Sequence, residues 1–190
     1  MYSNREQSPP QPACPASTSD VRRIVVEAVS DTRFSAQPAS GQGHLDVYLA
    51  LLQDSLPVYV GVMSDLLGQA GQATVRGNLT TAAQVTIDFY RSLFPAKLPV
   101  LASPAQLIRL RQVMRAGGFG PERGDEAIAD YLRREQKLGR VGPDVDPLAV
   151  ARLLTGGCLG YVYNMTLMGG DDLPSGEEYA AGIAHGLRLD

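Results

Sequence analysis

Two histidines, His44 and His185, and two cysteines, Cys14 and Cys158, are all that this chain offers for imidazole or thiolate chemistry. Nucleophilic catalysis needs a hydroxyl or thiol within reach of a base, and no Gly-x-Ser-x-Gly elbow or local Cys/His pairing occurs. His44 falls at a predicted helix start, and His185 near the end of the last predicted helix, where a cation is favourable. Both read as structural. Neither cysteine has Cys or His neighbours at metal-ligand spacing, so no metal site is expected. Cys158, in an apolar stretch, reads as a small buried hydrophobe. Gly117-Gly118-Phe119-Gly120 has the glycines of a phosphate loop, but no strand precedes it and no Lys-Ser/Thr follows, so it reads as a turn between helices. Arg109, Arg111 and Arg115 share one predicted helix and read as a solvated face. The mixed charges Glu122, Arg123, Asp125, Glu126, Arg133, Arg134 and Glu135 read as surface too. No catalytic residue, cofactor or enzymatic activity is expected.

Composition narrows the class further. The 190 residues are 44% hydrophobic and 19% charged, as in one soluble domain. Seventeen basic against twenty acidic residues give a net charge of -3, the reverse of the basic face of a free-standing nucleic-acid binder. The N-terminus lacks the apolar run of a secretion signal, so a cytoplasmic location is expected. Pro9, Pro10, Pro12 and Pro15 make residues 1–19 read as an extended, solvated tail. Residues 153–169 carry no formal charge and are the membrane candidate, at the short limit for a span. With Gly156, Gly157, Gly160 and Asn164 among them, they read as a buried core helix. No membrane partner is expected.

The elements that must position any site are helical by period. A short helix over 21–29 follows the capping residues Ser19 and Asp20. From 44 to 69, Leu45, Leu49, Leu52, Leu56, Val60, Met63 and Leu67 recur at spacings of three and four, with Pro57 predicting a kink or break. After a small-residue loop over 68–77, Thr80 or Thr81 caps a helix carrying Ala82, Val85, Phe89 and Leu93, which Pro95 interrupts. Ser103-Pro104 opens another, with Leu107, Leu110, Val113 and Met114, ending at Gly117-Gly118. A helix after Pro121 places Ile128, Tyr131, Leu132, Glu135 and Leu138 on one side, and Gly139 stops it. Asp146-Pro147 launches the helix over 148–168, and Ser175-Gly176-Glu177-Glu178 is a capping box for the last one. The fold class is all-α, with about seven helices. The 148–168 helix is apolar on almost every side and must be covered all round, which a symmetric partner chain would do; the alternative is a central helix wrapped by the chain's own neighbours.

From Leu79 onward the order of elements resembles the C-terminal ligand-binding and dimerisation domain of TetR-type transcriptional regulators. The residues carrying the resemblance are Phe89-Tyr90-Arg91-Ser92-Leu93-Phe94-Pro95, Asp130-Tyr131-Leu132-Arg133-Arg134-Glu135 with Gly139-Arg140, and Asp144-Val145-Asp146-Pro147-Leu148-Ala149-Val150-Ala151-Arg152-Leu153-Leu154 leading into the Gly-rich helix. It covers roughly residues 45–190 and rests on helix-boundary and packing signals. It implies a helical bundle whose last two helices form a homodimer interface, with Thr155, Leu159, Val162, Tyr179, Ile183 and Leu187 facing the partner. It also implies a small hydrophobic or aromatic effector held among Tyr59, Met63, Tyr90, Met114, Tyr131, Tyr161 and Met165. The family's N-terminal helix-turn-helix is not recognisable in residues 1–44, which read as a mostly irregular lead with one short helix. DNA is therefore expected as a partner only if a helix-turn-helix is supplied elsewhere. The alternative is a helical interaction protein with a filled core and no effector.

Overall fold

The structure, a computed structural model of the chain, describes residues 42–190 except 118, 119, 121 and 171. Of these residues 81% lie in six helices, with no strand among them, so the fold is all-α. The lead over 1–41, with Cys14 and the predicted helix over 21–29, lies outside the described residues.

Helices α1 (Gln42–Gly68) and α2 (Val75–Ala102) run antiparallel, since Ser55 meets Ser92 and Tyr59 meets Thr86. α3 (Pro104–Gly117) packs on α2 and lightly on α1, and α4 (Glu122–Lys137) packs on α1 and α5. α5 (Pro147–Met168) lies between α4 and α2, and α6 (Gly176–Gly186) rests mainly on α2. α2 is thus the central helix, touching every other helix but α4 in quantity. The core divides in two. Leu79, Ile87, Ile128, Leu132, Leu154, Cys158 and Val162 lie in the larger cluster, formed by α1, α2, α4, α5 and α6. The smaller joins Leu45, Tyr48, Leu49 and Leu52 to Leu93, Val100, Leu110 and Val113, and Leu56 and Phe89 pack against both.

Several helix ends follow their local chemistry. Asp146 Oδ1 accepts from the amides of Leu148 and Ala149, and the Ser175–Glu178 capping box is complete. Gly139, at φ +71°, takes the left-handed conformation that stops α4.

Other expectations need correction. α2 begins at Val75, where Thr74 Oγ1 accepts from the Gly77 amide at 3.0 Å. Thr80 and Thr81 lie inside it and donate back to the carbonyls of Arg76 and Gly77. Pro95 does not end α2, which continues through Pro95 and Pro99, and α1 runs unbroken through Pro57. The carbonyls four residues earlier belong to Gln53, Arg91 and Pro95, residues that are half-exposed or exposed, where solvent can stand in for a missing donor. Within the single chain one side of α5 is core, while Leu153 is 65% exposed, Leu167 59% and Met168 82%, so the chain's own neighbours do not wrap this helix. Glu135 is fully buried rather than a surface charge, and Leu138, beyond the end of α4, is exposed. Among the described residues α1, rather than 153–169, is long and apolar enough to cross a membrane, by length and composition only. Its inner side nonetheless carries much of the smaller core cluster.

Candidate functional site

Where α1, α2, α4 and α5 converge, a group of aromatic and hydroxyl side chains interrupts the aliphatic core. Tyr59 of α1 stacks on Phe89 of α2 with centroids 4.3 Å apart, and Phe89 touches Tyr90 at 5.9 Å. Thr86 donates its hydroxyl to the Ala82 carbonyl at 2.7 Å, so Tyr59 is the donor in its 3.4 Å contact with Thr86 Oγ1. On the facing helices Thr155 donates to Asp125 Oδ1 at 2.6 Å, and Cys158 Sγ approaches the Ala83 carbonyl at 3.6 Å. Gly124 makes this convergence possible, because a Cβ there would lie 2.6 Å from the Tyr59 hydroxyl.

Burial sets the electrostatics. It pushes the Tyr59 phenol up to about 12, with Thr86 lowering it slightly and Cys158 and Asp125 adding to the rise. The Tyr90 phenol is raised by burial and then by Tyr59, Asp125, Cys158 and Tyr48. Burial also takes the Cys158 thiol up to about 12 and depresses the Lys97 ammonium. A neutral thiol this deep is a poor nucleophile. Among the described residues no three His, Cys, Asp or Glu side chains are grouped to hold a metal ion. The cluster offers aromatic walls, one carboxylate and hydroxyls that can orient a ligand, but no proton-transfer relay.

The seven side chains singled out for an effector are spread over the two core clusters. Tyr59 and Tyr90 flank Phe89, and Met63 belongs to the same core cluster. Tyr131 is fully buried, and its hydroxyl accepts from Asn78 Nδ2 at 2.9 Å, near Glu135. Tyr161 stacks on Tyr179 at 4.5 Å and donates to the Pro174 carbonyl at 2.7 Å, while Met165 packs partly buried against the main core. Met114 lies against the other cluster. A groove of about 530 Å³ opens elsewhere, lined by Gly43, His44, Val47, Ala96 and Pro99. Thr86, Phe89, Gly124 and Asp125 were not singled out from sequence. A glycine beside an acid in the first turn of α4 was the available signal.

The six residues named for a partner chain divide likewise. Thr155, Val162 and Leu187 are buried in their own chain, Tyr179 and Ile183 are half-buried, and Leu159 is 40% exposed. Gly157 is taken up within the chain, since a Cβ there would overlap Ile183 of α6. The outward stripe of α5 is instead Leu153, Gly156, Gly160, Tyr163 and Leu167, at spacings of three and four. Tyr163 is 48% exposed, and the Cβ positions of Gly156 and Gly160 meet open space. Beside it α6 exposes Ala181, Gly182 and His185. No family model, no curated protein and no solved structure is significantly similar to the chain.

Proposed function

We propose that the chain is an effector-sensing and dimerisation domain of the TetR regulatory type, reading DNA only where a helix-turn-helix is supplied elsewhere. The α5 stripe carries this reading: Leu153, Tyr163 and Leu167 stand exposed on a helix whose other side is core. An apolar stripe beside a second exposed helix suits isologous pairing with another copy, and Gly156 and Gly160 let two backbones approach closely. The effector is a small hydrophobic or aromatic molecule that stacks at Tyr59, Phe89 and Tyr90, with Asp125 and Thr155 as its polar anchors. It acts by favouring one arrangement of α1 and α4 against α2. One observation favours a second reading, a helical interaction protein with a filled core. The hydroxyls of Tyr59, Tyr131 and Tyr161 already have partners within the chain.

Sedimentation at micromolar concentration tests the pairing. The expected mass is twice 20.3 kDa, and Leu153→Arg yields a monomer of unchanged helicity because Leu153 makes little contact within its chain. A monomeric unaltered chain overturns it. Melting in the presence of hydrophobic and aromatic molecules separates the two readings, since a ligand of the folded state raises stability with saturation. A stabiliser whose effect is lost in Phe89→Ala supports sensing, and no stabiliser across the panel supports the filled core.

A further inference from the structure

Asp125 brings a formal charge to the aromatic cluster, and the chain balances that charge poorly. It is half-buried in the first turn of α4, and the Thr155 hydroxyl donates to it at 2.6 Å. Among the described residues no lysine, arginine or histidine stands within ion-pair distance of it. Arg91 and Arg123, beside Tyr90 and Gly124 in sequence, face Asp88 and Glu126 at 3.8 and 3.4 Å. Arg152, one turn before Thr155, is exposed and makes no such contact, and exposed Glu122 offsets its charge. The N-terminus of α4 supplies roughly half a positive charge, so a negative remainder of similar size is left.

The surroundings have the same sign. Tyr59, Phe89 and Tyr90 bring aromatic faces, which carry negative charge density. Asp125 lies near enough to raise both phenols further, and burial keeps them neutral. The Tyr59 hydroxyl is spent on Thr86, whereas the half-buried Tyr90 hydroxyl has no partner among the described residues. An anionic ligand would meet a carboxylate here and no free cation. A neutral one would leave the carboxylate unbalanced. A cation resting on the ring faces beside Asp125 satisfies both, and such contacts strengthen where water is excluded.

We propose that the ligand class of this site is an aromatic cation, an organic ammonium carried on a flat ring system. Its ring stacks on Phe89 and Tyr90, and its charge pairs with Asp125. The inference rests on the sensing reading above and narrows the effector from hydrophobic or aromatic molecules to positively charged ones.

A matched set of naphthalene probes tests the charge in the full chain: naphthylmethyl-trimethylammonium, naphthalenemethanol and naphthoate. Probe fluorescence reports binding cleanly, since the chain has no tryptophan. The ammonium should bind roughly tenfold tighter than the alcohol, and the carboxylate more weakly than either. Asp125→Asn keeps the size of the side chain and an acceptor for Thr155. It should erase the preference by weakening the ammonium alone, whereas Phe89→Ala should weaken ammonium and alcohol together. In the unaltered chain added salt should weaken the ammonium and leave the alcohol unchanged, a reading that needs no variant. Equal binding of ammonium and alcohol, or a preference that survives Asp125→Asn, overturns the cationic class while the sensing reading stands. Binding of none of the probes at millimolar concentration overturns both.

Discussion

At the scale of single residues, Gly124 sets how closely α4 approaches α1. Helix propensity alone favours Gly124→Ala by about 1 kcal/mol, whereas an overpacked core loses about 1–3 kcal/mol. With a Cβ 2.6 Å from the Tyr59 hydroxyl, the second effect wins. Gly124→Ala should therefore lower stability in denaturant melts by about 1–2 kcal/mol. In a Tyr59→Phe chain the same change should be neutral or stabilising, and an equal cost in both backgrounds would refute the contact. Burial also predicts an alkaline limit. The Cys158 thiol moves from 9.0 to about 12, and the Tyr48, Tyr59 and Tyr131 phenols from 10.0 to about 12. Folded values above unfolded ones mean that the unfolded chain sheds these protons first. Their stabilising effect is complete below about pH 9 and is lost as pH rises toward 12. The melting temperature should fall across that window, and Cys158→Ala should move the onset up toward pH 10.

At the scale of elements, two short segments are held by carbonyls and charges distant in sequence. Arg76, near the start of α2, donates to the carbonyls of Ala184, His185 and Leu187 at 2.7–3.1 Å and so finishes α6. Hydrogen bonds from a charged donor contribute about 1.5–3 kcal/mol, so Arg76→Ala should lower the melting temperature by about 3–10 °C. Amide exchange should quicken first in α6. Unchanged exchange there would show that the cap does not hold this helix. At the end of α4, buried Glu135 accepts from the Gly71 amide at 3.2 Å and faces Arg140 Nε at 3.4 Å, while Arg140 Nη2 donates to the Ala73 carbonyl. This arrangement fixes the turn between α1 and α2, where Gly71 takes φ +82°. The caps at Asp146 and Ser175 were legible because their partners lie within three residues. The start of α2 was less so, since Thr74, Thr80 and Thr81 are all chemically competent caps. Its choice depends on where the turn fixed by Glu135 delivers the chain.

At the scale of the whole molecule, the exposed stripe on α5 makes stability depend on assembly. If two copies cover it, dilution must lower the melting temperature, because pairing stabilises only the folded state. A scan across roughly a hundredfold range of concentration should show this for the unaltered chain and not for Leu153→Arg. A concentration-independent melt in both would refute pairing through this face. Neither the aromatic cluster nor this stripe was visible as such in sequence. Tyr59, Phe89, Asp125 and Thr155 come from four helices, and only packing shows that they meet.

The sequence by itself determined the all-α class, most helix boundaries and the apolar character of α5, because period, caps and prolines act within a few residues of themselves. Even so, Pro57, Pro95 and Pro99 stayed within helices, since exposed carbonyls can bond to water. Tertiary structure alone decided that Glu135 is buried, that Thr155, Val162 and Leu187 are spent on the chain's own core, and that Gly156 and Gly160 remain free. Those outcomes depend on which face of each helix its neighbours occupy. Helical spacing names the candidate faces, but only contacts between distant segments choose among them.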